Sequence, residues 1–281
     1  MALKDLLLHL DSYPDPTTAP AIDEAVAFAR AVHGELTGLA FQISVPLESN
    51  RLADWFVDLS GLIREAEGRS LEACHAGLER FRADLAAGGV KGEAILQRAD
   101  FFNVADEVAR RARTRDLTIV PLTGRVNGHL DVAQSAIFGS GRPVLVYRPG
   151  EKAFAHGVRK VAVAWDGGRS AARALAEALP ILALAGEVRI VTVLGEKPSA
   201  TAGLAEDARR HLSVHGVDAT IDEVEARGRR IGSALDDYLA QHRPDLLVMG
   251  AYGHSRIREF VLGGATEHAL AAGRTPTLLA H

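Results

Sequence analysis

The sequence predicts an α/β protein of two doubly wound domains in tandem, each with a five-stranded, mainly parallel sheet, related by a pseudo-twofold axis. Three kinds of strand-like segment recur in the same order in both halves of the 281-residue chain, which chance rarely produces. The first pair is LLLHLD, ending at Asp11, and VAVAWD, ending at Asp166. The second pair is DLTIVPLTG from Asp116 and DLLVMGAYG from Asp245, and the third is RPVLVY from Arg142 and TPTLLA from Thr275. Helical segments alternate with the strands, and such alternation requires crossover connections that place helices on both faces of a parallel sheet.

The elements follow the same order in each half. After the first aspartate, an Ala-rich amphipathic helix is predicted over residues 21–32 and a strand at ELTGLAF. After the second aspartate, a helix is predicted over residues 171–184 and a strand at EVRIVTVL. The halves are offset by 155 residues at the aspartates, 129 at the Asp-Leu strands and 133 at the final strands. The first half therefore has 26 extra residues in its middle and four fewer in its last loop.

The two halves are predicted to join near RPGEKAFAHGVRK, where Pro149 and Gly150 end one apolar run and Val158 begins the next. This places one domain at residues 1–152 and the other at residues 153–281. Each half ends in a short apolar strand that forms the outer edge of its sheet, and exposed apolar edges invite pairing. We therefore expect the two final strands to pair antiparallel about the pseudo-twofold axis.

The extra residues of the first half fall within residues 46–89. Trp55, Leu59, Leu62 and Ile63 have helical spacing and predict an extra helix that covers the core through this apolar stripe. A lid over a ligand or a surface for a partner protein is the alternative interpretation. Because the insertion is the one large asymmetric surface, it is also where we expect a homodimer contact.

Composition excludes several classes of protein. The net charge of −4 gives no reason to expect a nucleic-acid partner. Cys74 is the single cysteine, so an intramolecular disulfide and a Cys-based zinc site are excluded, and the residue is best explained as a small buried side chain. The apolar runs fall far short of the roughly 20 residues of a membrane span, and no signal peptide is recognisable. A cytoplasmic protein without membrane contact is expected.

The stretch GAYGHSRIREFVLGGAT is rich in glycine, at Gly250, Gly253, Gly263 and Gly264. In an open parallel sheet, ligands bind beyond the carboxyl ends of the strands where the winding direction reverses. If the first and fourth strands of the second half are neighbours there, Asp166 and Gly250 face one crevice. The first two glycines would allow a sharp turn and a close ligand approach, and the last two would open a helix whose free amides can hold a phosphate.

These residues resemble those of a tandem universal stress protein, with two copies of that family's α/β domain in one chain. The family signature of Gly, two residues, Gly, nine residues, Gly matches at Gly250, Gly253 and Gly263. The resemblance implies that the second half binds an adenine nucleotide such as ATP, together with Mg²⁺, and that Asp166 contacts the nucleoside. Gly264 replaces the hydroxyl residue that the family has after its third glycine, and Thr266 is the residue that partly substitutes for it.

Structural explanations of the same residues stay open. The glycines are also expected of a tight turn and a helix start in a fold that holds no ligand, and Asp166 is equally explained as a carboxylate capping the next helix, with Ser170 as another candidate. The first half has Pro121 in place of Gly250 and lacks the loop that leads to the cradle, so it is expected to bind no nucleotide despite Asp11. Gly139 and Gly141 are interpreted there as turn residues.

Three functions are compatible with these residues. The first is a stress-response protein of the bacterial cytoplasm that binds an adenine nucleotide without catalysis and changes its dimer or partner contacts in response. We identify no catalytic residue and no metal ligand for it. The second is slow ATP hydrolysis, for which Asp166 and Glu267 are the carboxylates near the site. The third is an interaction module that holds no nucleotide in either half.

Overall fold

Ten strands are present in the computed structural model, which describes residues 2–46, 59–123, 128–150, 154–195, 201–251, 266, 270 and 274–281. Most of the central strands are continuous apolar runs, as expected of strands covered on both faces. Their bounds are β1 (Asp5–Leu10), β2 (Glu35–Ser44), β3 (Gly92–Asp100), β4 (Leu117–Pro121), β5 (Val144–Tyr147), β6 (Lys160–Ala164), β7 (Glu187–Leu194), β8 (Ala219–Glu225), β9 (Leu246–Gly250) and β10 (Thr277–Ala280).

The strands form one sheet in the order β3-β2-β1-β4-β5-β10-β9-β6-β7-β8. Within each set of five, all neighbouring strands are parallel. The sets join where β5 and β10 pair antiparallel, with Leu145 opposite Leu278. Both leucines are fully buried, so each edge is covered by the other half. The predicted α/β class and the predicted pairing of the final strands are confirmed.

Seven α-helices lie in the described part of the chain, and they cover both faces of the sheet. Residues of α1, α2, α5 and α6 pack on one face, and residues of α3, α4 and α7 pack on the other. Each of the two apolar clusters contains residues of both halves, so the core continues across the join. The helices are α1 (Ala19–Ala31), α2 (Leu59–Gly88), α3 (Val104–Ala112), α4 (Gly128–Gly139), α5 (Arg169–Leu182), α6 (Glu206–Val214) and α7 (Ile231–His242).

The same carboxylate contact fixes the start of the fourth strand in each half. Asp116 Oδ2 accepts hydrogen bonds from the backbone N–H groups of Lys4 and Asp5, at 2.8 and 3.0 Å. Asp245 Oδ2 accepts from the N–H groups of Arg159 and Lys160, both at 2.8 Å. The first strand of each half is thereby tied to the fourth, as the repeat alignment requires. The predicted domain bounds themselves stay a prediction.

A helix lies within the predicted insertion at residues 46–89, but among the described residues it is a lengthened α2 and not an additional element. The inserted residues lengthen α2, which has 30 residues, whereas its counterpart α6 has nine. The predicted apolar stripe is not the buried one: Leu59 and Leu62 are 39% and 55% exposed, and Trp55 lies outside the described residues. The buried face of α2 is formed instead by Ala66, Ser70, Cys74, Leu78, Phe81 and Leu85.

The buried stripe of α2 explains two sequence features. Phe81 lies over Gly38 of β2, where a Cβ would come within 2.6 Å of the phenyl ring. Cys74 is 2% exposed, which confirms its interpretation as a small buried residue. Despite its length, α2 is too polar to cross a bilayer, and the other described helices likewise offer no membrane-spanning segment.

Candidate functional site

The candidate crevice of the second half lies at the carboxyl ends of β6 and β9. These strands are neighbours, with Ala164 opposite Met249, and β6 pairs on its other side with β7. The winding therefore reverses between β6 and β9, where ligands of open α/β sheets bind. Asp166 follows β6 by two residues, and Gly250 is the last residue of β9. The predicted crevice required that the first and fourth strands of the second half be neighbours, and this is confirmed.

Asp166 shapes the turn between β6 and α5. It is half-buried, and its Oδ1 accepts a hydrogen bond from the N–H of Gly168 at 2.9 Å. Gly167 has a φ of +71°, a conformation that glycine adopts without strain. Gly168 is the N-cap residue of α5, and no side chain caps that helix. Asp166 thus orders the turn that precedes α5 through the N–H of the N-cap residue, and its helix-capping and ligand-contact roles both stay predictions.

Gly250 is required by packing, and the expectation that it forms a sharp turn is wrong. It has extended backbone within β9 and pairs with Ala280 of β10. A Cβ at Gly250 would lie 2.4 Å from the backbone nitrogen of Ala171 and 2.5 Å from the carbonyl carbon of Ser170. Both atoms belong to the first turn of α5, so the missing side chain lets this helix approach the end of β9.

Only the ends of the glycine segment are described. Gly253, Gly263 and Gly264 lie outside the described residues, so the proposed phosphate cradle stays a prediction. At the near end, Ala251 donates its N–H to the Ala280 carbonyl at 2.7 Å, and its own carbonyl lies 3.0 Å from His281 Nδ1. At the far end, Thr266 is helical and buried.

The corresponding aspartate of the first half has a different environment. Asp11 lies between two imidazoles: His9 Nε2 is 3.1 Å from its Oδ1, and His129 Nδ1 contacts its Oδ2. His9 is buried in β1, and the sequence analysis missed His129, which α4 brings to Asp11 from a distant part of the chain. Of the two predicted turn residues, Gly141 is confirmed by its φ of +70°, whereas Gly139 is helical, as the last residue of α4.

The two neighbouring histidines favour the ionised form of the Asp11 carboxyl. Burial by itself would raise the pKa of this carboxyl, but the charges and hydrogen bonds of His9 and His129 outweigh burial and hold the pKa far below its usual range. Burial would likewise lower the pKa of His129, yet its hydrogen bond to Asp11 and the charges of Asp11 and Asp15 raise it above the ordinary value. Both shifts favour the charged forms, so the His129–Asp11 contact is an ion pair at pH values below the raised pKa of His129.

Comparison with solved structures supports the fold of the whole chain. A universal stress protein from Archaeoglobus fulgidus DSM 4304 is 16% identical, with a TM-score of 0.72, over 98% of this chain and 97% of that one. A functionally unknown protein from Pseudomonas aeruginosa PAO1 is 15% identical, with a TM-score of 0.54, over 98% of this chain and 92% of that one. At such identities the likeness shows the fold alone.

Comparison with protein families gives a match in the second half. The comparison with curated proteins gave no match. The candidate crevice, with Asp166 after β6 and Gly250 at the end of β9, lies wholly within the residues that the family model covers. Residues 157–281 match the model of the Universal stress protein family.

Proposed function

We propose that the chain is a tandem universal stress protein that binds one adenine nucleotide, ATP or a close relative with Mg²⁺, in its second half and acts as a non-catalytic regulator. The observation that carries the proposal is the position of Asp166 and Gly250 at the carboxyl ends of neighbouring strands, where the sheet reverses its winding. This crevice falls within residues 157–281, which match the family model. Asp166 would contact the nucleoside, and Gly253, Gly263, Gly264 and Thr266 would surround the phosphates.

Anchoring of the glycine segment supports this assignment. Ala251 is fixed to the end of β10, and the carbonyl of the helical residue Leu270 accepts a hydrogen bond from Arg148 Nη2 at 3.1 Å. The segment between these residues therefore starts and ends on ordered parts of both halves. A loop that returns to a helix at the mouth of a crevice brings free helix amides to a bound anion. Occupancy would then act on the join between the halves and on contacts with a second copy or partner.

Mass spectrometry of nucleotide extracted from the freshly purified protein tests this function. We expect an adenine nucleotide, recovered unhydrolysed, at no more than one per chain. Recovery of ADP with metal-dependent turnover would instead establish the hydrolase. Absence of any nucleotide, together with no binding of added ATP, would refute the proposal in favour of an interaction module.

Substitutions in the glycine segment locate the phosphates. Gly263→Val should abolish ATP binding, because a β-branched side chain would occupy the phosphate path. Gly264→Ser should strengthen binding by about 1.5–3 kcal/mol, since it restores a hydroxyl donor to a charged group. Gly77→Ser, at a helical position of the first half where a Cβ meets nothing within 4 Å, is the matched control and should leave ATP binding unchanged. Equal affinity in wild type and Gly263→Val would mean that no phosphate lies at this helix start.

A further inference from the structure

Asp11, His9 and His129 form a buried cluster in the first half at the position that Asp166 occupies in the second. The side chain of His9 is 1% exposed and that of Asp11 is 15% exposed. His129 is also buried and comes from the first turn of α4. His9 lies in β1, and Asp11 is the first residue after that strand. The cluster therefore joins the carboxyl end of β1 to the start of α4.

The backbone around the carboxylate is fixed independently of the histidines. Asp11 donates its N–H to Thr17 Oγ1 at 2.7 Å, and the Thr17 N–H donates to the Asp11 carbonyl at 3.0 Å. The loop after β1 therefore presents the carboxylate as a fixed acceptor. In contrast, α4 reaches the end of β1 through the His129 side chain.

We propose that the His129–Asp11 ion pair is a proton-controlled latch, which holds the first turn of α4 over the carboxyl end of β1 most tightly while His129 is protonated and loosens when the proton is lost. Among the described contacts of the corresponding Asp166 in the second half is a hydrogen bond from the backbone of its own turn. The His129 imidazolium thus neutralises the Asp11 carboxylate, which a ligand in this crevice would otherwise contact. This inference does not depend on nucleotide binding in the second half.

The charged groups around His129 determine the direction of the pH effect. Asp11 and Asp15, both in the loop after β1, act on its charge, and His9 shares the Asp11 carboxylate. The helix packed along α4 is α3, whose Arg113 reaches the opposite end of α4 at the Gly139 carbonyl, 3.0 Å away. Within α4 itself, Asp131 lies in the first turn. The groups nearest the imidazole are thus carboxylates, which favour its protonated form.

The sign of the pH dependence follows from the two pKa shifts. Because the pKa of His129 is raised, its stabilising contribution is complete below the ordinary value of 6.5 and is lost as pH rises through the raised value. Because the pKa of Asp11 is lowered, its contribution is present above the ordinary value of 3.8 and is lost only as pH falls through the lowered value. The latch is therefore fully closed between the ordinary pKa values of 3.8 and 6.5, and it loosens as pH rises through the raised pKa of His129.

Amide hydrogen exchange of α4 in the full chain tests the latch. After correction for intrinsic rates, we expect the first turns of α4 to exchange about 10-fold or more faster at pH 9 than at pH 6, the change expected when a charge-assisted hydrogen bond is lost. His129→Ala should exchange fast at both pH values. His129→Gln, which keeps a hydrogen-bond donor but cannot gain a proton, should fold and show no pH dependence. His75→Gln, at an exposed position of α2, is the control and should behave as wild type.

Titration of the His129 imidazole by NMR separates a latch from a merely structural contact. We expect its pKa to lie above 6.5 in wild type and to fall in Asp11→Asn, where burial is no longer opposed by a carboxylate. Exchange at α4 that is independent of pH in wild type, or unchanged in His129→Ala, would overturn the proposal. A His129 pKa that is the same in wild type and Asp11→Asn would overturn it as well.

Discussion

Gly250→Ala should destabilise the protein even when no ligand is present. The added Cβ would lie 2.4 Å from the nitrogen of Ala171 and 2.5 Å from the carbonyl carbon of Ser170. These are backbone atoms, so the contact can be relieved only if α5 moves away from the end of β9. Over-packing of this kind costs about 1–3 kcal/mol. For a chain of this size, each kcal/mol lowers the melting temperature by about 2–4 °C.

Urea unfolding followed by circular dichroism, without added nucleotide, measures this loss. Gly77→Ala is the matched control, because a Cβ at this position of α2 meets nothing within 4 Å. Alanine is a better helix former than glycine, so the control should be more stable than wild type by roughly 0.5–1 kcal/mol. If Gly250→Ala unfolds at the same urea concentration as wild type, packing against α5 is not the reason for this glycine.

Three further predictions concern the sheet. Asp116→Ala and Asp245→Ala should each cost about 1–3 kcal/mol in urea unfolding, to a similar extent, because each removes two backbone hydrogen bonds to a carboxylate. Gly92→Ala should speed amide exchange along β3, since its Cβ would lie 1.9 Å from the Leu36 carbonyl oxygen. Leu278→Asp should abolish folding, seen as loss of the circular dichroism signal, because it buries a charge where the halves join.

The topology was predictable because it depends on features repeated along the chain. Strands ending at Asp11 and Asp166 fixed the alignment of the halves, and the same alignment places Asp116 and Asp245 in equivalent hydrogen bonds. The antiparallel join of β5 and β10 followed from the rule that apolar edges must be covered. Each inference needed only local pattern and general packing physics.

Which side chains of the long helix α2 are buried was less predictable from the sequence. Apolar spacing around Leu59 and Leu62 correctly indicated a helix but not which side chains it buries. A 30-residue helix is about 45 Å long, whereas the ten residues of β2 extend about 33 Å, so the first turns of α2 pass the end of the strand. Its buried stripe begins at Ala66, where the sheet is reached. The periodicity of apolar residues does not show how the length of α2 compares with that of the sheet beneath it.

Contacts between distant residues were the least predictable part of the candidate site. Nothing in the local sequence of His129 connects it to Asp11, since the contact exists only after α4 has packed near β1. Gly250 shows the same limit: its packing partner is the first turn of α5, so the missing side chain serves a helix rather than a turn. Gly250 was recognisable as unusual and His129 was not, and the partners of both are set by tertiary structure.

Isothermal titration with ATP on a matched pair of variants tests the central claim, that the second half alone binds the nucleotide. Asp166→Asn and Asp11→Asn make the same change at equivalent positions of the two halves. The account predicts one site per chain in wild type, affinity reduced about 10-fold or more in Asp166→Asn, as expected for a lost charged hydrogen bond, and wild-type affinity in Asp11→Asn. Two sites per chain, or a loss of affinity in Asp11→Asn but not in Asp166→Asn, would contradict it.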